Sequence, residues 1–432
     1  MKKSGHPFDM AEVVTSDCVY KGVLMPSSDS TKIVVKLKSG YNVGLLRKHV
    51  KKIEVLEHAK TSKAAAAKKL VERKHLPVIS ILHFGGTIAA EVDYATGAVV
   101  ARFTPEELVA KFPEIEQIGN VRSRLIRNMF SEDMRFAHYN LLAKEIAKEI
   151  SAGADGVIVT HGTDTMGYTA AALAFMLEHL PVPVVLVGSQ RSSDRGSSDA
   201  AMNLICAAHF ISKSNFAGVC VCMHEKSSDD FCSILPACKV RKMHTSRRDA
   251  FKAVNSIPIA KVDIKGSLEF VQTNYKRKSK EKVVVKGFRE NLRIGMLKVH
   301  PNMHAQEFLS YKNFDGLVIE GTGLGHAPVN VIDEQTKEHK KILDAIRSLS
   351  KNIPVVMTSQ TIFGRVQMNV YSTGRMLQEA GVLGNYCDML PETAFIKLAW
   401  LLSNCKKDDV KRLIGENLRG EISKRTQENE YL

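Results

Sequence analysis

The chain has 432 residues, of which 44% are hydrophobic and 25% are charged, and it carries eight cysteines and a formal net charge of +15 at pH 7. This length predicts two or three soluble domains, and no apolar run approaches the ~18 residues that a membrane-spanning helix requires. The cysteines have neither CxxC nor zinc-type spacing, which argues against a disulfide framework or a metal site, and the excess positive charge favours an RNA partner without deciding it.

Residues 1–75 are predicted to form a small SH3-like β-barrel followed by a connector. Short runs with β-type alternation occur at 22–24, 33–37 and 41–45, with turn residues between them. From about residue 59 the composition changes to alanine and lysine, which indicates a helical, solvated linker. Charged residues occupy the place where a secretory signal would have its apolar segment, so a cytoplasmic location is expected.

Residues 76–260 have the strand, loop and helix alternation of an α/β domain with a parallel sheet. Helical periodicity is expected between the strands because parallel neighbours need a crossover connection. The predicted strands are 78–84, 156–160, 182–187 and 219–223, and the predicted helices are 166–180 and 197–212.

A basic linker region at 261–292, typified by Lys276, Arg277 and Lys278, separates this domain from a second α/β domain at 293–404. The second domain has predicted strands at 294–299, 317–320 and 353–358. The last segment, 405–432, is charged with spaced apolar residues and is predicted to be a helix or tail that docks on a partner.

Two hydroxyl-bearing motifs follow predicted strands. Gly85-Gly86-Thr87-Ile88-Ala89 follows the first strand, and His161-Gly162-Thr163-Asp164-Thr165-Met166 follows the second. Because ligands bind at the carboxyl edge of parallel sheets, both threonines are candidates for one site. Taken singly, the glycine pair is equally an ordinary turn, and the Thr-Asp-Thr run is equally a helix N-cap.

The two motifs in this order resemble the paired signature of the bacterial-type L-asparaginase family. The segment 241–251, which contains Lys242, resembles the lysine segment of that family, and 321–326 resembles its second-lobe loop. The resemblance covers roughly residues 76 to 404. It implies a two-lobed asparaginase-like α/β fold with parallel sheets and cleavage of a small amide.

The resemblance also implies roles for individual residues. Lys242 would polarise Thr163, and Asp164 would orient the lysine and help to hold the substrate amino group. Thr87 would attack the amide carbon or assist the attack, with Tyr94 in contact with it. A threonine hydroxyl needs such a base because it is a poor nucleophile at neutral pH. Taken alone, Lys242 would be assigned as a solvated charge in a basic stretch, and only its place in the family segment reverses that assignment. Tyr94 taken alone is equally an ordinary loop aromatic. The histidines next to the two motifs, His83 and His161, are predicted to make structural hydrogen bonds.

Three features depart from the simple asparaginase pattern. Glu132 stands in Ser131-Glu132-Asp133-Met134, where asparaginases commonly have glutamine in a segment that binds the substrate carboxylate. The segment 191–199 also differs, and residues 1–75 form an additional domain. Together these features resemble the D-subunit family of archaeal-type glutamyl-tRNA(Gln) amidotransferases, and the likeness extends over the full chain, including 389–394 and 417–422.

This second resemblance implies an ammonia-releasing subunit that uses glutamine or asparagine and serves an E subunit acting on Glu-tRNA(Gln). No Walker-type phosphate loop occurs in the chain, so ATP and magnesium are expected on the partner and no cofactor here. A homodimer within a heterotetramer is implied, with His326 as a candidate contribution to the substrate site. The alternatives are a stand-alone L-asparaginase and a catalytically silent RNA-binding or assembly module.

Overall fold

The computed structural model describes residues 6, 8–27, 29–37, 42–58, 73–86, 90–92, 99–101, 112–193 and 197–426. The N-terminal part is a small antiparallel β domain, as predicted, with its strands in the order β4-β3-β2-β1-β5. Alternate side chains of these strands are buried in a separate core that includes Ala11, Val13, Leu24 and Val35. The strands are β1 Met10–Thr15, β2 Val19–Met25, β3 Lys32–Leu37, β4 Asn42–Leu46 and β5 Val50–Glu57, with a 3₁₀ turn at Arg47–His49.

The first α/β lobe is built on an eight-stranded sheet in the order β18-β17-β14-β13-β12-β10-β6-β9. Strands β6, β10, β12 and β13 pair in parallel, as predicted, and β9, which the sequence patterns do not predict, pairs in parallel with β6. Antiparallel pairings of β14, β17 and β18 extend the sheet. The strands are β6 Val78–His83, β7 Ala90–Val92, β8 Val99–Ala101, β9 Asn120–Leu125, β10 Gly156–Thr160, β11 Leu177–Glu178, β12 Pro183–Val187, β13 Gly218–His224, β14 Cys232–Pro236, β15 Val240–Lys242, β16 Phe251–Ala253, β17 Ala260–Val262 and β18 Leu268–Phe270.

Helices cover both faces of this sheet. Every residue of β10 and β12 is buried, which explains why these strands are continuous apolar runs rather than alternating ones. The cores on the two faces are separate, one around Leu173 and Phe175 and the other around Ile205 and Phe210. The helices are α1 Ile115–Ile118, α2 Phe136–Ser151, α3 Met166–Met176 and α4 Ala200–Lys213, with a 3₁₀ turn at Ser131–Asp133.

The second lobe has a three-stranded parallel sheet in the order β20-β21-β22. Strand β19 Val284–Val285 precedes it and pairs with β11 of the first lobe. The elements are β20 Ile294–Lys298, α5 Ala305–Leu309, β21 Gly316–Gly321, a 3₁₀ turn at Glu334–Thr336, α6 Glu338–Asn352, β22 Val355–Ser359, α7 Ser372–Glu379, α8 Pro391–Asn404 and α9 Lys407–Leu413. Helix α8 packs against both α3 and the second sheet and so joins the two lobes.

The segment after α9 returns across the molecule to the first lobe. Glu421 forms a completely buried ion pair with Lys397 of α8, with an Nζ to Oε1 distance of 2.7 Å. Arg419 donates to Glu178 of β11 at 2.8 Å, and its guanidinium lies 5.6 Å from the centre of the Trp400 ring. The last segment therefore contains a helix, and the residues after it are part of the packed structure. The predicted helical linker before residue 73 lies almost entirely outside the described residues.

Candidate active site

The two threonine motifs leave the same edge of the first sheet. Strands β6 and β10 are parallel neighbours in which His83 lies opposite Thr160, so their following loops start side by side. Gly85 and Gly86 have φ angles of 101° and 90°, a region that favours glycine. A Cβ atom on Gly86 would lie 2.6 Å from the amide nitrogen of Gly162. The glycine pair thus lets the first loop lie directly against the second, and Thr87, which follows, is outside the described residues.

Thr163, Asp164 and Lys242 meet in one hydrogen-bonded group. The Lys242 ammonium donates to the Thr163 hydroxyl at 2.9 Å and to the Asp164 carboxylate at 2.8 Å. Thr163 is buried, the Lys242 side chain is 15% exposed and the Asp164 side chain is 68% exposed. The structure therefore brings Lys242 to residues that lie 78 and 79 positions earlier in the chain, and the group has one open side at Asp164.

The strand that carries Lys242 is fixed from its opposite face. Arg241 lies one position before Lys242 in β15, so the two side chains point to opposite faces of the strand, and Lys239 directly precedes the strand. Lys239 forms a buried ion pair with Asp388 at 2.8 Å, and Arg241 lies 3.3 Å from Glu392 in the first turn of α8. Burial raises the pKa of Glu392, while Arg241 acts in the opposite direction. The second lobe thus holds β15 where Lys242 reaches the first-lobe loop.

A third loop, which the sequence motifs do not identify, completes the wall behind Thr163. Gly188 follows β12, and a Cβ atom there would lie 2.7 Å from the Thr163 methyl group. The buried carboxylate of Asp199 accepts hydrogen bonds at 3.0 Å from the backbone amides of Gln190 and Arg191 and from the Ser189 hydroxyl. The sequence does contain an indication of this loop. A glycine directly follows the buried strand β12, just as glycines follow the two strands that carry the threonine loops.

Ser131 lies against the Thr163 loop, whereas the neighbouring Glu132 projects outward. The Ser131 carbonyl accepts the Thr165 hydroxyl at 2.6 Å, and a Cβ atom on Gly162 would lie 2.8 Å from the Ser131 Cβ. Glu132 is exposed in the same 3₁₀ turn. The 3₁₀ turn therefore lies at the border of the site, and the Glu132 carboxylate is on the side of the turn that faces solvent.

The two motif histidines make structural hydrogen bonds. His83 interacts with the hydroxyls of Thr160 and Ser123 at 3.0 and 2.8 Å. His161 contacts the Gly162 carbonyl at 2.7 Å and the Thr169 hydroxyl at 3.0 Å, and burial lowers its pKa from 6.5 to about 4. Both rings thus have both nitrogens engaged within the fold.

The remaining candidates are not part of this group. His326 lies in the second lobe, where Nδ1 is 3.3 Å from the Thr373 hydroxyl and the ring contacts Tyr371 edge-on at 5.4 Å. Burial lowers its pKa, and its Nε2 has no hydrogen-bond partner among the described residues. Tyr94 falls outside the described ranges. Within those ranges no cluster of three or more His, Cys, Asp or Glu side chains could hold a metal ion, and no helix could span a membrane.

Comparison with known families matches three successive parts of the chain. The GatD N-terminal domain matches residues 6–56, the N-terminal asparaginase domain matches 78–276, and the glutaminase/asparaginase C-terminal domain matches 293–413. Among solved structures, the thermostable L-asparaginase of Thermococcus kodakarensis has a TM-score of 0.70 at 26% identity and covers 81% of this chain and 100% of its own. The L-asparaginase I of Vibrio cholerae has the same TM-score at 29% identity and covers 81% of this chain and 99% of its own.

Curated relatives extend the likeness over nearly the whole chain. The D subunit of glutamyl-tRNA(Gln) amidotransferase from Pyrococcus furiosus is 47% identical over 421 residues, which cover 96% of this chain and 93% of the relative. Its counterpart of the same name from Methanococcus maripaludis is 42% identical over 421 residues, covering 96% and 97%. These relatives are similar to the present chain across the N-terminal domain and both asparaginase-like lobes.

Proposed function

The chain belongs to the family of glutamyl-tRNA(Gln) amidotransferase D subunits, and from this premise we propose that it releases the ammonia used to convert Glu-tRNA(Gln) to Gln-tRNA(Gln). Glutamine or asparagine is the amide donor. The observation that carries the proposal is the 2.9 Å hydrogen bond from Lys242 to Thr163 at the carboxyl edge of an asparaginase-type sheet. The complete complex would form a new carbon–nitrogen bond with nitrogen taken from an amide donor. This chain would carry out the first half-reaction, the hydrolysis of that amide.

In this mechanism, threonine supplies the nucleophilic oxygen. Lys242 in its neutral form accepts the hydroxyl proton of Thr163, and the Thr163 oxygen in turn takes the hydroxyl proton of Thr87 as Thr87 attacks the amide carbon. Asp164 orients the lysine and holds the substrate amino group. Lysine serves as a base only in its neutral form, because the ammonium has no lone pair that could accept a proton. A C–O bond to threonine forms, the C–N bond breaks, and the departing nitrogen takes a proton and leaves as ammonia. Water then releases the acid from the acyl-enzyme.

Four further residues are proposed to bind the substrate. Ser131 and Glu132 border the site at the 3₁₀ turn, where Ser131 lies against the Thr163 loop. Tyr94 would contact the first threonine, and His326 would act across a dimer interface. Backbone N–H groups of the glycine-rich loops are suited to stabilise the oxyanion, because donors fixed before the reaction need no reorganisation.

The chain is proposed to work within a larger cytoplasmic assembly. An E subunit would receive the ammonia and activate the glutamate on tRNA with ATP and magnesium, and two D subunits would form a homodimer within a heterotetramer. The buried ion pair between Lys239 and Asp388 links the segment before β15 to the second lobe, so each D subunit can supply a complete lysine–threonine group.

The decisive experiment combines the purified chain with its E subunit, Glu-tRNA(Gln), ATP, magnesium and glutamine or asparagine. We expect Gln-tRNA(Gln) to form, and Thr163→Ala to abolish its formation. Added ammonium chloride should restore the product with the Thr163→Ala complex, because the variant loses only the ammonia source.

Two outcomes would contradict the proposal. Rapid asparagine hydrolysis that is unaffected by the E subunit and tRNA, without Gln-tRNA formation, would indicate a stand-alone L-asparaginase. Undiminished glutamine-dependent product formation by Thr163→Ala would instead indicate that the chain is a silent RNA-binding or assembly module.

A further inference from the structure

Residues 276–286, here called the basic connector, concentrate positive charge on one short segment. The sequence KRKSKEKVVVK has six Lys or Arg residues and a single carboxylate, Glu281. The chemistry proposed for the amide site uses none of these side chains. A segment of this charge attracts polyanions regardless of fold.

The backbone of the basic connector is anchored along its length. The amide of Ala217 donates to the Lys276 carbonyl at 2.7 Å, and the amide of Lys278 donates to the Asn215 carbonyl at 2.7 Å. Further along, β19 pairs with β11, and the Lys286 amide donates to the Met176 carbonyl at 2.9 Å. The cations are therefore displayed from a fixed backbone, which reduces the ordering cost of binding.

Three cations of the basic connector remain available for a partner. Arg277, Lys280 and Lys282 are exposed, and they form no ion pair with any carboxylate in the described parts of the chain. The other three are engaged within the fold: Lys276 pairs with Glu281, Lys286 pairs with Glu178, and the Lys278 ammonium donates to the Ile211 carbonyl.

A shallow groove beside the basic connector adds two further cations. It has a volume of about 580 Å³ and lies between α2 and β19, with Lys144 and Lys148 on one wall and Val285 on the other. Both lysines are exposed, although Lys148 also contacts Glu145. Because Val285 lines the groove and also belongs to the basic connector, the two adjoin each other, and the groove adds two exposed lysines beside the connector.

This region lies at the end of the first sheet that is opposite to the amide site. The basic connector bonds to residues that precede β12 and β13, whereas Thr163 follows the carboxyl end of β10, which is parallel to them. A strand of about five residues, with a rise of roughly 3.3 Å per residue, places the two ends of the sheet about 15 Å apart. A partner on the basic connector would leave the amide site open.

We propose that the basic connector and the adjoining groove bind the phosphate backbone of RNA, namely the tRNA substrate of the complex. This proposal rests on the proposed function. Exposed Lys and Arg suit a polyanion because binding releases its counterions. A protein partner is less well matched, since charged residues are depleted at the centres of protein interfaces and Val284 is the exposed apolar side chain of the segment.

The test measures the affinity of the assembled complex for Glu-tRNA(Gln) over a range of salt concentrations. The triple variant Arg277→Gln, Lys280→Gln and Lys282→Gln should weaken binding roughly 10- to 100-fold near physiological salt and reduce the salt-dependence slope by about 3. Release of ammonia from glutamine should be unchanged, because the variant lies at the other end of the sheet. If the parent complex bound Glu-tRNA(Gln) but released no ammonia from glutamine, the proposed function alone would fail.

A matched control removes the same charge from the second lobe and its neighbouring segment. Lys340→Gln, Lys351→Gln and Lys406→Gln are all at exposed positions, and this triple variant should bind tRNA like the parent. Equal weakening by both triple variants would overturn the proposal in favour of a general effect of net charge. Unchanged affinity and salt slope in the connector variant would also overturn it, as would dissociation of the E subunit, which would assign the surface to a protein contact.

Discussion

At the scale of single residues, Lys242 has two partners in very different surroundings. Thr163 is buried and Asp164 is 68% exposed, so the ammonium is held between a protected hydroxyl and a solvated carboxylate. Water screens the interaction with the exposed carboxylate, and the geometry at the hydroxyl depends chiefly on how β15 is held. The proposed activation of Thr163 therefore depends on the position of the Lys242 Nζ atom more than on the attraction between Lys242 and Asp164.

Replacement of Lys242 tests this dependence. Lys242→Met should lower kcat for ammonia release by roughly 10²- to 10⁴-fold, because no other described side chain is bonded to the Thr163 hydroxyl as a base. Lys252→Met is the matched control, since Lys252 belongs to the paired strand β16 and its ammonium donates to the Glu225 carbonyl instead. Steady-state ammonia release should distinguish the two variants, and equal activity in both would remove Lys242 from the mechanism.

His161 leads to a prediction about stability rather than catalysis. Its folded-state pKa is about 4, below the ordinary value of 6.5, so the unfolded chain binds more protons between these pH values. Stability from this group is thus complete above about pH 6.5 and is lost as the pH falls toward 4, by up to about 3 kcal/mol.

Urea unfolding at pH 4.5 and pH 7 would measure this loss. His161→Gln should be less stable than the parent at pH 7 and should show a flatter dependence of the unfolding free energy on pH. An unchanged pH dependence in the variant would mean that other groups govern acid stability.

At the scale of elements, the position of Lys242 reflects contacts that span the two lobes. Asn255, which precedes β17 and has a φ of 51°, donates to the Asp388 carbonyl at 3.0 Å, and the amide of Ser423 donates to the Asp388 carboxylate at 2.9 Å. Asp388 in turn pairs with Lys239, directly before β15. The C-terminal segment, the second lobe and the lysine strand are therefore parts of one packed unit.

The buried pair between Lys397 and Glu421 should show how strongly the C-terminal segment is attached. Lys397→Met alone should destabilise the protein by about 3–5 kcal/mol, because it leaves the Glu421 charge buried without its partner. The double variant Lys397→Met and Glu421→Gln should lose less than the sum of the single changes. Lys411→Met, at an exposed position of α9, should stay within about 0.5 kcal/mol of the parent.

Denaturant unfolding of the parent, the two single variants and the double variant provides the double-mutant cycle. Strict additivity of the two changes at the buried pair would contradict a direct interaction between Lys397 and Glu421. A loss as small as that of Lys411→Met would show that the C-terminal segment contributes little to the fold.

Sequence patterns predict the parallel strands well because burial on both faces makes them continuous apolar runs. The helix predicted to continue to residue 180 ends at Met176, because the next two residues pair with β19 more than 100 positions later. The role of Asp199 could likewise not be predicted from neighbouring residues, because its carboxylate accepts hydrogen bonds from residues eight to ten positions earlier in the chain. Thr163, Asp164 and Lys242 are predicted as a set only through family motifs, because spacing along the chain does not encode their contact.

At the scale of the whole molecule, the N-terminal domain has its own hydrophobic core, whereas the two lobes share one buried cluster to which both contribute side chains. The core of the N-terminal domain consists of side chains from its own five strands, and none of them belongs to the clusters that support the amide site. The amide site and the basic connector lie at opposite ends of the first sheet. Ammonia release and attachment to larger partners can therefore depend on different parts of the chain.

Removal of residues 1–58 tests this separation. Because the core of the lobes contains no side chain of the N-terminal domain, the shortened chain should fold and release ammonia from glutamine within about twofold of the parent. Gln-tRNA(Gln) formation by the complex should fall, because the N-terminal domain would no longer contact tRNA or the E subunit. Thr163→Ala in the full chain is the matched control, since it should show the reverse pattern: intact assembly, no ammonia release and rescue by ammonium chloride. Parallel assays of ammonia and Gln-tRNA on both variants decide the matter. Loss of ammonia release from a shortened chain that remains folded by circular dichroism would show that the N-terminal domain is required at the amide site itself.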